Sequence, residues 1–100
     1  MIDTMAAYII IIREETTEPA ELQVYAQMAP AGLAGFPVSV KALYGKNELI
    51  EGDGQPEGIA ILEFPTYDEA KAWYINPRYQ AAREHRLKGG RYRSFIVEGI

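Results

Sequence analysis

The chain has 100 residues, 48% of them hydrophobic and 24% charged, with no cysteine and a formal net charge of -4 at pH 7. That length predicts one domain spanning residues 1–100, and the missing cysteines exclude disulfides, thiolate metal sites and a cysteine nucleophile. The negative balance opposes a nucleic-acid partner, which needs Lys and Arg against phosphate, and no apolar run approaches the ~20 residues that cross a bilayer.

Ala6 to Ile12 is β-branched and aromatic and ends in Arg13, Glu14 and Glu15, which predicts a strand apolar on both faces. Pro19 fits the first turn of a helix in which Leu22, Tyr25, Ala26 and Ala29 recur at helical spacing. Pro30, Gly32, Gly35 and Pro37 are expected to end that helix, and Val38 to Tyr44 reads as a second strand. Glu48 to Glu51 reads as a short strand-like piece before the turn formers Gly52 to Pro56. Gly58 to Phe64 is another apolar strand, stopped by Pro65. Thr66 and Glu69 form a capping box, with the hydroxyl of one and the carboxylate of the other each expected to satisfy a backbone amide. The helix that follows carries Ala70, Trp73 and Tyr74. Asn76-Pro77 interrupts it and starts another reaching about Leu87, Gly89-Gly90 breaks the chain, and Tyr92 to Glu98 is the last strand.

The order β, α, β, β, α, β is that of the α+β, ferredoxin-like fold: an antiparallel sheet with two helices on one face. Two helices leave the other face uncovered although its strands are apolar there too. A second copy related by a two-fold axis is the economical cover, so a homodimer with face-to-face sheets is expected. Charge is unevenly spread: from Lys71 to Arg93 there are seven basic residues and one acid, Glu84. Such a stretch is an anion-receptive surface, a face that meets its opposite in an oligomer, or a solvated helix.

Ile61-Leu62-Glu63-Phe64-Pro65-Thr66, followed by Ala70, Ala72-Trp73-Tyr74, Asn76-Pro77, Tyr79-Gln80, Ala82 and Arg86, resembles the domain-of-unknown-function family 1330. Tyr8 in the first strand, Leu49 to Gly52 and the closing Val97-Glu98-Gly99 extend the likeness over nearly the whole chain. The chain departs from the family pattern at residues 31–36 and at Leu43-Tyr44-Gly45. The resemblance implies a dimeric α+β barrel and no particular reaction, since relatives in that superfamily include monooxygenases, isomerases and haem enzymes.

Glu63 is the first candidate for chemistry, because a carboxylate in an apolar strand must be paired, neutralised or marginal. Desolvated, it would serve as a general acid or base; paired, it would hold register across the dimer. His85 is the only histidine, which excludes a site built on several imidazoles. It leaves a base, a ligand contact or a haem ligand against a solvated helix end. Arg86, with Arg83 and Arg91, has the planar fork to grip a carboxylate, or else satisfies carbonyls, Glu63 or Glu98. Trp73, Tyr74, Tyr25 and Tyr8 are candidates for the wall of a small aromatic pocket, with a core role as the alternative. Glycine-rich phosphate loops and serine triads are absent, and no cofactor or metal is called for by any motif.

These readings converge on a homodimer that binds a small aromatic or carboxylate ligand between sheet and helices. As an enzyme it would be a cofactor-independent monooxygenase or isomerase, with Glu63 as base, Tyr74 or Tyr79 as hydrogen-bond donor, and Arg86, Trp73, Tyr25 and His85 against the substrate. The alternative is a non-catalytic structural or interaction dimer. Neither nucleic acid nor membrane is expected as a partner. Met1-Ile2-Asp3-Thr4 lacks the basic segment of a signal peptide, so a cytoplasmic location is expected.

Overall fold

The structure, a computed structural model, describes residues 5–100; Met1-Ile2-Asp3-Thr4, read above for a leader, lies outside the described residues. Strand β1 (Ala7–Thr16) is central. It pairs antiparallel with β3 (Gly58–Phe64) on one side and β4 (Gly90–Glu98) on the other, while β2 (Ser39–Leu43) pairs with β3 at the edge. Helix α1 (Pro19–Leu33) joins the first two strands, and α2 (Tyr67–Ile75) with α3 (Pro77–Gly89) joins the last two. This is the ferredoxin-like arrangement, its second helix broken at Asn76.

Several boundaries differ from the sequence reading. β1 continues past Ile12 through charged residues to Thr16, because β4 offers a partner there across a bulge between Arg13 and Glu15. α1 runs through Pro30 to Leu33. A proline one turn from the end of a helix removes only one hydrogen bond, and the close packing of Gly32 on Tyr79 holds the final turn in place. Glu48 to Glu51 is not a strand. Gln55 fastens that stretch as a loop instead, accepting from the Leu49 amide at 2.8 Å and donating to Asn47. Half of the expected capping box forms: the Thr66 hydroxyl accepts from the Glu69 amide at 3.1 Å, whereas one Glu69 carboxylate oxygen is buried with no partner among the described residues. Gly89 ends α3 and Gly90 begins β4 with no intervening loop, and the Gly89 carbonyl accepts from the amides of Thr17 and Glu18.

Strand alternation decides what each face carries. Ala7, Ile9 and Ile11 of β1, with Ala60, Leu62 and Phe64 of β3, are buried against Ala70, Trp73 and Tyr79 of the helices. Trp73 is the hub of this core, with ring centres 4.1 Å from Tyr79 and 5.7 Å from Phe64. Fully burying such a side chain contributes about 1.5–3 kcal/mol. Tyr8, Ile10 and Ile12 point the other way, in register with Glu63, Ile61 and Ile59 and with Val97, Phe95 and Arg93. The helices leave this second face open, and Phe95 and Val97 remain 44% and 46% exposed on it.

Candidate functional site

α1 packs along α3 and stands off the sheet, leaving a cavity of about 240 Å³ between helix and strands. Ala26 and Ala29, with Cβ alone, leave the underside of α1 too thin to fill that gap. Ile11, Ala60 and Leu62 supply the sheet side, and Trp73 and Tyr79 the far wall. The open side lies at edge strand β2, where Val40 and Leu43, also lining residues, are 46% and 65% exposed. Tyr25, Tyr44, Tyr92 and Arg13 add polar groups to the remaining walls. Among the described residues the lining contains phenols, one indole, one guanidinium and hydrocarbon, and neither a carboxylate nor a histidine.

Asn76 sets one side of this arrangement. Its Oδ1 accepts from the amides of Arg78 and Tyr79, capping α3, while its Nδ2 donates to the carbonyls of Trp73 and Gly32. The cap fixes where α3 begins, and therefore where Tyr79 and Arg86, two turns along one face, project. Arg86 is only 2% exposed. Its Nε donates to the Tyr79 hydroxyl at 3.2 Å, and its guanidinium lies 4.8 Å from the Tyr92 ring centre and 6.0 Å from that of Tyr25. No carboxylate of the described residues forms an ion pair with it. Burial, the largest single influence, acts to lower its pKa. The oxygens of Tyr79 and Tyr25 outweigh that effect and hold its pKa above the ordinary value, so the group stays a cation.

The Tyr25 and Tyr79 hydroxyls are 3.1 Å apart. The pair carries two hydroxyl hydrogens and needs one for the bond between them, so one O–H is left to donate elsewhere. Burial pushes the Tyr25 and Tyr44 phenols well above their ordinary value of 10.0, and that of Tyr92 upward as well. These groups are therefore neutral donors at physiological pH rather than bases.

Of the residues singled out in the sequence, the structure brings Tyr25, Trp73 and Tyr79 to the cavity, with Arg86 directly behind the phenols. It separates the others from them. Glu63 is on the open face of the sheet, accepting from the Tyr8 hydroxyl at 3.0 Å and pairing with Lys41 at 3.3 Å; that hydrogen bond raises the Tyr8 phenol above its ordinary value. Glu63 therefore cannot act on anything in the cavity, and Tyr8 is not part of its wall. Tyr74 lies on the other side of Trp73, in a second cleft of about 320 Å³ with Lys71, Ile9 and Ile96. His85 joins the two outer helices through Glu21 at 2.6 Å and is not a lining residue. Arg83 sits over the Tyr74 ring and Arg91 pairs with Glu15, so neither assists Arg86.

Sequence reasoning missed Arg13, Tyr44 and Tyr92 as cavity residues. Arg13 continues the alternation of Ile9 and Ile11, and Tyr92 is its partner in register across β4. That signal was readable only once β1 was known to extend past Ile12. No pattern marks Tyr44, which is placed by the irregular end of β2.

Similarity to solved structures is broad and low in identity. RPA0582 of Rhodopseudomonas palustris, a protein of unknown function, superposes with a TM-score of 0.69 at 15% identity, over 96% of this chain and 83% of that one. A dimeric ferredoxin-like protein of unknown function from Bacteroides fragilis gives 0.60 at 14%, over 93% and 95%. SnoaB, a cofactor-independent oxygenase from Streptomyces nogalater, gives 0.63 at 12%, over 95% and 92%. At these identities the likeness is one of fold. No curated protein matches this chain. The family model described as "Domain of unknown function (DUF1330)" matches residues 6–100, and this chain belongs to that family.

Proposed function

We propose that the protein binds a small, flat, largely apolar molecule bearing an anionic or carbonyl oxygen in the cavity between α1 and the sheet. The observation that carries this reading is Arg86: a buried guanidinium with a phenol for a partner and no counter-ion, set behind a cavity whose polar groups are donors. A buried cation with no carboxylate partner among the described residues attracts an anionic oxygen strongly in low-dielectric surroundings, and a ligand would supply that oxygen. The free O–H of the Tyr25 and Tyr79 pair would donate to that oxygen, with the charge of Arg86 strengthening the bond through Tyr79.

The same lining argues for binding over proton abstraction. Catalysis by a general base needs an unprotonated group within reach of the substrate. Burial keeps the phenols of Tyr25, Tyr44 and Tyr92 protonated, and Glu63 is on the opposite face. The likeness to SnoaB, a cofactor-independent oxygenase, is one of fold and supplies no base. In the assembly we propose, two copies meet through the open sheet faces, in keeping with the dimeric ferredoxin-like protein from Bacteroides fragilis, and the protein works in the cytoplasm.

A thermal-shift comparison tests the ligand class. Aromatic carboxylates and keto acids are expected to raise the melting temperature, and aromatic amines of the same shape are not. Arg86→Met is expected to weaken binding of the acids about tenfold while leaving stability within about 1 kcal/mol, since it removes a buried charge together with its cost. Equal shifts with acids and amines, or full acid affinity in Arg86→Met, would contradict the reading.

A further inference from the structure

Tyr44 follows the last residue of β2 in a conformation that side chains avoid. Its φ is 56°, in the left-handed region, and it is the one non-glycine residue of those described with a positive φ. Its hydroxyl is buried and has no hydrogen-bond partner among the described residues. The chain gives up more on the neighbouring strand, where Gly58 leaves room for the ring: a Cβ at position 58 would stand 2.7 Å from Tyr44 Cδ1 and 3.2 Å from an Arg13 nitrogen. The Arg13 guanidinium lies 4.7 Å from the centre of the same ring. Backbone strain and an unsatisfied buried hydroxyl at one residue each cost free energy, and both fall on a residue lining the cavity.

We infer that the Tyr44 hydroxyl is a specificity-determining contact of the cavity, donating a hydrogen bond to an oxygen of the bound molecule. This rests on the binding function proposed above and adds to it a second recognition point, separate from the Tyr25 and Tyr79 pair. Chemistry favours an oxygen acceptor. The phenol is neutral because burial raises its pKa, and the charges of Arg86 and Arg13 both act on it, so a donated bond to a negatively polarised oxygen is stabilised from two sides. A ligand amine would meet the same two cations and be repelled. The fixed ring, wedged between Arg13 and Gly58, presents the hydroxyl without a conformational search, as a preorganised site requires.

The test is Tyr44→Phe, which keeps the ring, the packing against Gly58 and the contact with Arg13 while deleting the oxygen. Its melting temperature is measured without ligand. Its affinity is measured by calorimetry for 2-naphthoate and for 2-methylnaphthalene, which has the same rings and no oxygen. The inference expects the ligand-free variant to melt at least about 2 °C higher than the wild type, because an unsatisfied buried group has been removed. It expects the affinity for 2-naphthoate to fall about tenfold and that for 2-methylnaphthalene to stay the same or rise. A lower or unchanged melting temperature, or an undiminished preference for the carboxylate, overturns the inference alone. Failure of the wild type to bind 2-naphthoate overturns the binding reading and this inference with it.

Discussion

Gly58 shows how one side chain's absence shapes the cavity. A methyl group there meets the Tyr44 ring and the Arg13 guanidinium together, and neither is free to retreat: the ring is fixed by a left-handed backbone and Arg13 is paired with Glu57 at 3.4 Å. Gly58→Ala is therefore expected to lose about 1–3 kcal/mol, as overpacking does, and to lose ligand affinity, read by urea denaturation and calorimetry on the same sample. Unchanged stability would show that Tyr44 is not wedged. At this scale the sequence was informative where a residue's type restricts its surroundings. Trp73, Tyr25 and Tyr79 had to be covered by something apolar, and Arg86 had to find an oxygen. It was silent on Glu63, because strand alternation only says that Glu63 shares a face with Ile59 and Ile61. Which face the helices cover depends on pairing, and a shift of one residue reverses the answer.

Between elements, the contact of α1 with α3 fixes the height of the cavity. Gly32 approaches the Tyr79 backbone, where an added Cβ would lie 3.1 Å from Cα, and Gly89 makes room for Leu22. Asn76 ties this pair together, as cap of α3 and as donor to the Gly32 carbonyl near the end of α1. Asn76→Ala is expected to cost about 1–2 kcal/mol with an unchanged denaturant slope, and to loosen the cavity wall enough to weaken ligand binding; urea unfolding followed by tryptophan fluorescence reads the first effect. A loss below about 0.3 kcal/mol would show that the cap carries little of the junction. The cap was legible because Asn before Pro at a break in helical periodicity has a short list of uses. The passage of α1 through Pro30 was not legible, because the packing of Gly32 on Tyr79 that sustains the last turn is a tertiary contact. Nor was the loop at Glu48 to Glu51: its backbone is held by Gln55, a residue that no strand pattern flags.

For the whole molecule, the proposed assembly rests on the open sheet face. Ile10, Ile12, Ile59, Ile61, Phe95 and Val97 share it, with Tyr8, Glu63 and Lys41 making a polar cluster at one end. Buried in a dimer, these side chains would stabilise two copies at about 25 cal/mol per Å² of apolar surface covered. Phe95→Glu places a charge in register with Ile10 at the centre of that face, and is expected to convert a dimer into a folded monomer, as measured by sedimentation velocity at micromolar concentration. A dimer that survives the substitution would mean that the copies meet elsewhere. The apolar face itself was evident from the runs Tyr8 to Ile12 and Ile59 to Leu62, and with it the need for a cover. The cavity was not evident in the same way. It arises because α1 stands off the sheet, a consequence of α1 packing on α3 that no single segment encodes.

The most direct test of the central claim is a calorimetric titration of the wild-type protein with 2-naphthoate and, separately, with 2-naphthylmethylamine. The two share their rings and differ in the sign of the charge they carry at neutral pH. A cavity lined by phenolic donors and backed by the cation of Arg86, which has no carboxylate partner among the described residues, predicts that the carboxylate binds at least about tenfold more tightly than the amine. Equal binding of both, or tighter binding of the amine, would contradict the account.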